Sequence, residues 1–249
     1  MKTAVAPFPG PSVTGGTRAF SLNRCETSML DRQRNVAGQI YKNLREKILR
    51  VELRPGEPIY ERTLADMFDA SRTPVREAIR LLSKEGLISI VPHVGTSVAL
   101  IDAARLSECC FIRVSLEAAG IRMAAERFSE REGAVLDALV ERQAATLDGP
   151  DIPANIAVDA DFHRTILATA GLKATTSLLD QVMGDIVRVR HLSGQVPGRL
   201  QNTIAEHRAI VAALRRGDPD ACEDAMRAHL QASFTSVSAV LDWYPDYVT

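Results

Sequence analysis

The feature that most constrains this chain is a change of hydrophobic period inside one short stretch, residues 36–100. Val36, Ile40, Leu44 and Ile48 recur every four residues among Lys42, Arg45, Glu46, Lys47 and Arg50, the stripe of an amphipathic helix. Leu53-Arg54-Pro55-Gly56 ends that helix and turns the chain. A short helix is predicted over about 61–68, with Leu64, Ala65 and Phe68 apolar. Asp69-Ala70-Ser71 reads as a tight turn, Ser71 or Thr73 as a cap, and Pro74 falls in the first turn of a helix running to about Lys84. Gly86 stops it. The period then drops to two: Leu87–Val91 and Thr96–Leu100 read as strands around the turn Pro92-His93-Val94-Gly95. Helix, helix, turn, helix and hairpin in under 70 residues predict a winged helix-turn-helix.

The third helix has two distinct faces. At 100° per residue, Val75, Ala78, Ile79 and Leu82 lie together, while Arg72, Thr73, Arg76 and Arg80 lie on another side. Arg72 and Arg76 stand one turn apart near the end that enters the major groove in such a motif. Guanidinium can chelate guanine O6 and N7, and a threonine can meet phosphate or a thymine methyl. Three arginines at four-residue spacing are as readily a solvated helix face; the surrounding order favours DNA. Charge points the same way. Residues 32–100 hold 12 Lys and Arg against 8 Asp and Glu, whereas residues 101–249 hold 15 against 21.

The segments Glu61-Arg62-Thr63-Leu64-Ala65, Ser71-Arg72-Thr73-Pro74-Val75-Arg76-Glu77-Ala78-Ile79, Leu82 to Leu87, and Gly95-Thr96 closely resemble the GntR family of bacterial transcription regulators. The resemblance covers about residues 36–100. It implies DNA contacts from Arg62, Arg72, Thr73 and Arg76, with Ser71 on phosphate and Gly95 at the wing tip. Two positions depart from the family pattern: Tyr60, where a small capping residue is commoner, and Asp69, where Gly or Asn often sits. Aspartate tolerates a left-handed turn, so the geometry is expected to survive.

After Asp102 the pattern is helical, with segments expected at about 103–128, 131–147, 152–170, 173–193, 200–216 and 219–243, the first readable as one helix or two. The fold class is therefore mainly α: a winged helix-turn-helix over 33–101 and an all-α bundle of six or seven helices over 102–243. Residues 1–32, rich in Pro, Gly, Ser and Thr, read as a flexible tail, and 244–249 as a short C-terminal tail. Prolines and glycines break the first 16 residues before an apolar core forms, unlike a secretory signal, and no apolar run approaches the roughly 18 residues of a membrane span. Four cysteines without paired spacing fit a reduced, cytoplasmic protein, with Cys109 and Cys110 as small apolar residues.

Four of the five histidines fall on these predicted helices, and three of them form a candidate set with one carboxylate. Asp159 and His163 are four apart on one helix, so both point the same way; His207 and His229 lie on later helices. One carboxylate and three imidazoles suit a divalent metal ion such as Zn, Ni or Mn with open positions. From spacing alone, scattered histidines are more often surface or hydrogen-bonded core residues. However, Asp159-x-x-Phe162-His163, Glu206-His207-Arg208-Ala209-Ile210, Gly217-Asp218 and Met226-x-x-His229-Leu230 resemble the FCD domain, the ligand-binding bundle of the FadR-type subfamily, over about 103–240. That resemblance implies Asp159, His163, His207 and His229 as metal ligands and a small carboxylate as effector. The intact set argues against the members that bind acyl-CoA without metal. Arg113, Arg188 and Arg190 are candidates to fork onto the effector carboxylate, each with an internal salt bridge as its alternative. His191 and Glu206 stand nearby as supporting groups or bystanders.

The expected function is a homodimeric, effector-responsive regulator, with repression as its expected mode, reading a pseudo-palindromic double-stranded operator. A metalloenzyme with an ancillary DNA-binding module is the alternative, although no HExxH or similar pairing stands near the ligands. An architectural DNA-binding protein whose bundle merely dimerises is a third reading.

Overall fold

The structure is a computed structural model. It describes residues 35–249 except 150, 195 and 197, and side chains except those of 237–240. The expected N-terminal tail lies outside the described residues.

Three helices and a hairpin form the first unit: α1 (Val36–Leu49), α2 (Glu61–Met67), α3 (Arg72–Lys84), β1 (Ile88–Val91) and β2 (Gly95–Val98). Asn35 caps α1 by accepting from the Gly38 amide. Every residue of its four-residue stripe after Val36, namely Ile40, Leu44 and Ile48, is fully buried. They meet Val75, Ala78, Ile79 and Leu82 of α3 and Leu87 and Ile88 of the hairpin in one core. β1 and β2 pair antiparallel with Ile88 opposite Val98 and Val91 opposite Gly95. The segment before α2 lies along β2, with the Ile59 amide donating to Thr96 and the Val98 amide to Glu57. Asp69 takes a left-handed φ of 45° in the turn, as its short polar side chain allows.

Seven helices follow among the described residues: α4 (Ala103–Ala125), α5 (Glu130–Ala145), α6 (Ile152–Thr169), α7 (Lys173–Val182), α8 (Gly184–Ser193), α9 (Arg199–Arg216) and α10 (Pro219–Leu241). Ile121, Leu136, Phe162, Ile166, Ile210, Leu214 and Met226 anchor the bundle core. One alternative is settled and one expectation is corrected. The first segment is one unbroken helix, α4. The segment expected at 173–193 is instead two helices, because the chain bends at Met183, where ψ is −2°. Gly184 lies against the first unit: a Cβ there would stand 3.1 Å from Leu87 Cδ2. Glycine is both a weak helix former and the residue that permits this approach.

The last six residues differ from an unattached tail. Pro245–Tyr247 form one 3-10 turn, Val248 bridges Ile101, and the Thr249 amide donates to the Ile101 carbonyl. Tyr244 and Tyr247 stack on each other and join a third apolar cluster, with Ile101, Leu106, Ile186 and Val189, where the two units meet. No helix of the described residues is long and apolar enough to cross a membrane.

Candidate metal centre and DNA-reading surface

Asp159 and His163 come from α6, His207 from α9 and His229 from α10; all four are buried, and their ligand atoms lie within 4.8 Å of one another. Asp151 caps α6 through the Ala154 amide and so sets the phase that turns Asp159 and His163 inward. His229 Nε2 is 3.2 Å from His163 Nε2, His163 Nε2 is 3.7 Å from Asp159 Oδ2, and His207 Nε2 is 3.6 Å from Asp159 Oδ1. Two nitrogens bound at about 2.1 Å to one tetrahedral ion stand about 3.4 Å apart, so these separations match a shared ion.

The outer ring nitrogens explain why the inner ones are available. His207 Nδ1 is 2.8 Å from the Gln143 amide oxygen, and His229 Nδ1 is 2.7 Å from Glu206. His163 Nδ1 abuts Glu117. Gln143 and Glu206 can each accept a hydrogen bond from the Nδ1–H of their histidine, which leaves the Nε2 lone pairs of His207 and His229 available. Asp159 Oδ1 and His207 Nε2 are buried with no hydrogen-bond partner. Buried polar atoms rarely stay unmatched, and a cation bound among these four groups answers both. The residues therefore fit a divalent ion.

Charge is arranged to the same end. Burial lowers the His207 pKa well below the usual imidazole value against the pull of Asp159. Burial likewise brings His229 down to about 4, opposed by its bond to Glu206. Both rings are thus neutral at pH 7, the form that ligates metal. Burial disfavours the Asp159 carboxylate, but Arg190, then His163 and His207, hold it well below the usual carboxylate range. Arg190 donates to Asp159 Oδ2 at 2.6 Å. Arg113 donates to Glu117 at 2.7 Å, and Arg199 grips Glu206 through two bonds of 2.9 Å. Each carboxylate around the cluster is therefore balanced by an arginine.

The three expected effector arginines separate. Arg113 and Arg190 line a cavity of about 740 Å³ that also exposes Asp159 and His163. Arg188 does not line it, which corrects that expectation. It is fully buried at the junction, donating to the carbonyls of Ala99 (2.6 Å) and Leu100 (3.3 Å) and to Asp185 (2.5 Å). Residues two apart on a helix point nearly opposite ways, so with Arg190 on Asp159 its neighbour must face away. His191 lines the same cavity, and Glu206 holds His229.

Glu117 and Gln143 escaped the sequence reading, yet a signal was present. Leu136, Leu139, Val140 and Gln143 form one buried stripe of α5, so Gln143 is an amide at a core position that needs a partner. Arg113 and Glu117 sit in the same way on the buried face of α4.

At the other end of the molecule, Arg62, Ser71, Arg72, Thr73, Arg76 and Arg80 are all exposed, and α3 keeps its apolar face on α1. The Ser71 hydroxyl makes no capping bond although Ser71 occupies the N-cap. Arg76 Nε donates to Glu61 at 2.8 Å. Gly95 is exposed at the end of the wing turn with open space around it.

Comparison with known proteins identifies the two units. Residues 36–98 match the model of bacterial regulatory proteins of the gntR family, and residues 108–232 match the FCD domain. The chain belongs to the GntR family and carries an FCD domain. It is 30% identical over 212 residues to the HTH-type transcriptional repressor RspR of Escherichia coli strain K12, covering 84% of this chain and 93% of that protein. It is 32% identical over 201 residues to a probable D-xylose utilization operon transcriptional repressor of Paenarthrobacter nicotinovorans, covering 79% and 86%. The fold matches the solved structure of E. coli McbR/YncC with a TM-score of 0.70 at 23% identity, over 84% of this chain and 98% of that one. This GntR protein is a DNA-binding transcription regulator, and its relatives are regulators rather than enzymes.

Proposed function

We propose that this GntR regulator is a homodimeric repressor whose operator affinity responds to a small carboxylate bound at a divalent ion in the FCD domain. The observation that carries the reading is the buried cluster of Asp159, His163, His207 and His229, in which Asp159 Oδ1 and His207 Nε2 have no hydrogen-bond partner. Asp159, His163, His207 and His229 would hold Zn, Ni or Mn; the ion would attract the effector's carboxylate, with Arg113 and Arg190 beside it. Arg62, Ser71, Arg72, Thr73, Arg76 and Gly95 would meet the duplex, their exposure supporting the assignment. Two such units need a two-fold site, hence a pseudo-palindromic operator. An exposed row on α4, Phe111, Ala119 and Met123 at spacings of eight and four residues, supports self-association. Effector binding shifts DNA affinity only by its preference for one arrangement of the units.

The test has two arms. Elemental analysis is expected to find about one divalent ion per chain, depleted in His207→Ala; equal metal in both proteins would overturn the ligand set. Metal-replete protein is expected to lose affinity for a pseudo-palindromic duplex, selected from random sequence, when a carboxylate that stabilises it thermally is added. Unchanged affinity with every stabilising carboxylate would leave DNA binding intact and remove the effector role.

A further inference from the structure

We infer that the effector is a carboxylate with an uncharged apolar body, long enough to reach from the ion site to α1 and so to touch both units at once. The inference rests on the metal-and-carboxylate reading above. Its starting point is size. The cavity holds about 740 Å³ and is walled by α4, α6, α7 and α8 of the FCD domain and by α1, with Glu85 at the end of α3, of the DNA-reading unit. A water takes roughly 30 Å³ of liquid, so a carboxylate of two or three carbons, worth about four waters, would leave most of this space to solvent.

The remaining wall tells what belongs there. Leu49 of α1, Ile156 of α6, Leu179 of α7, and Met183 and Val187 of α8 all line it. The charged groups of the wall are already matched to one another: Glu85 to Arg45, Glu46 to Arg50, Asp161 and Asp180 to Arg164, Glu117 to Arg113, and Asp159 to Arg190. Lys42 lacks such a partner among the described residues, but it is exposed to solvent, where an ion pair contributes little. Away from Arg113 and Arg190 at the ion site, the wall therefore offers a second anionic group no unmatched buried cation, and it offers an alkyl or aryl body apolar surface to leave water against.

The placement also supplies a route to DNA. Leu49 is the last residue of α1, and α1 packs along α3, the helix bearing Arg72 and Arg76. An occupant lying between Leu49 and Val187 would push on or hold the helix directly behind the reading helix. An effector that stopped at the ion would have to act through the bundle alone.

Calorimetric titration of the metal-replete full chain, without DNA, tests the inference with straight-chain alkanoates from acetate to hexanoate and with adipate. Each added methylene is expected to tighten binding about two- to four-fold, and hexanoate is expected to bind more tightly than adipate. Leu49→Ser, and separately the nearly isosteric Val187→Thr, should shrink that increment relative to acetate in the same variant, with metal content unchanged. Affinity that stays flat from acetate to hexanoate, an adipate tighter than hexanoate, or an increment untouched by both variants would overturn the inference while leaving the ion-and-carboxylate reading in place. A metal-loaded protein that binds neither acetate nor hexanoate would overturn both.

Discussion

A histidine ligates through one nitrogen only if the other is told to keep its proton. In this GntR regulator Gln143 gives that instruction to His207 and Glu206 to His229, while the Glu117 carboxylate lies against His163 Nδ1. Gln143 is itself fixed by Asn155, which accepts from its amide at 3.2 Å. We expect Gln143→Leu to keep the fold's volume but weaken metal binding about 10- to 100-fold, read by competition with a chromogenic chelator. Unchanged affinity would show that the amide does not orient the ring. On the DNA side, Arg72 and Arg76 are exposed at the start of α3, and Glu61 steadies Arg76. Arg72→Ala or Arg76→Ala is expected to cost about 1–3 kcal/mol of specific binding while leaving nonspecific binding closer to wild type. Operator titrations that match wild type in both variants would contradict the groove assignment.

Among the elements, α8 joins the most. Its first residue, Gly184, backs onto Leu87; Arg188 binds the carbonyls that follow the wing; Arg190 binds Asp159 of the ion site. One rigid helix of ten residues thus touches the hairpin, the linker and the cluster. Burial works against the Arg188 charge and lowers its pKa, while Asp185 beside it offsets part of that. Removing one partner of a buried pair leaves the other unanswered, so Arg188→Met should lose about 3–5 kcal/mol of stability. Arg188→Met combined with Asp185→Leu should recover much of that loss. Denaturant unfolding of the single and double variants compares them; a double variant less stable than the single one would refute the pairing argument. The bend that creates α8 was not legible in residues 173–193, whose helical period runs through Met183 without a proline. Right after the bend, Gly184 packs closely against Leu87, a contact far away in sequence.

For the whole molecule, three half-buried or buried histidines set the acid response. Burial, then Arg190 and Arg50, bring His191 down to about 4, and burial brings His229 to about 4. His207 is also held well below its usual value by burial. Near pH 6.5 these rings would titrate in the unfolded chain. Between about pH 4 and 6.5 the unfolded chain therefore binds more protons, so stability falls as pH drops through that window and is level above it. We expect the chelator-treated protein to lose melting temperature steadily from pH 7 to pH 4.5. A melting temperature that holds or rises on acidification would contradict neutral buried rings. Operator binding should weaken steeply with salt as counterions return to the phosphates; a flat titration would count against the arginine surface.

Local pattern was enough for the two-unit plan and the α3 face, whereas the four ligand positions as a set followed from the resemblance to the FCD domain. A four-residue stripe, a change of period and a helix-spaced Asp159–His163 pair are all written within a few turns of chain. Tertiary packing alone decided which arginine reaches the ion site. Arg188 and Arg190 look alike in sequence, and only the docking of α8 between bundle and hairpin sends one to the Ala99 carbonyl and the other to Asp159. The same holds for Gln143 and Glu206 as proton holders, and for the last residues returning to Ile101. Each depends on contacts between helices far apart in the chain, whose relative depth and rotation follow from side chains interlocking in the core rather than from any local period.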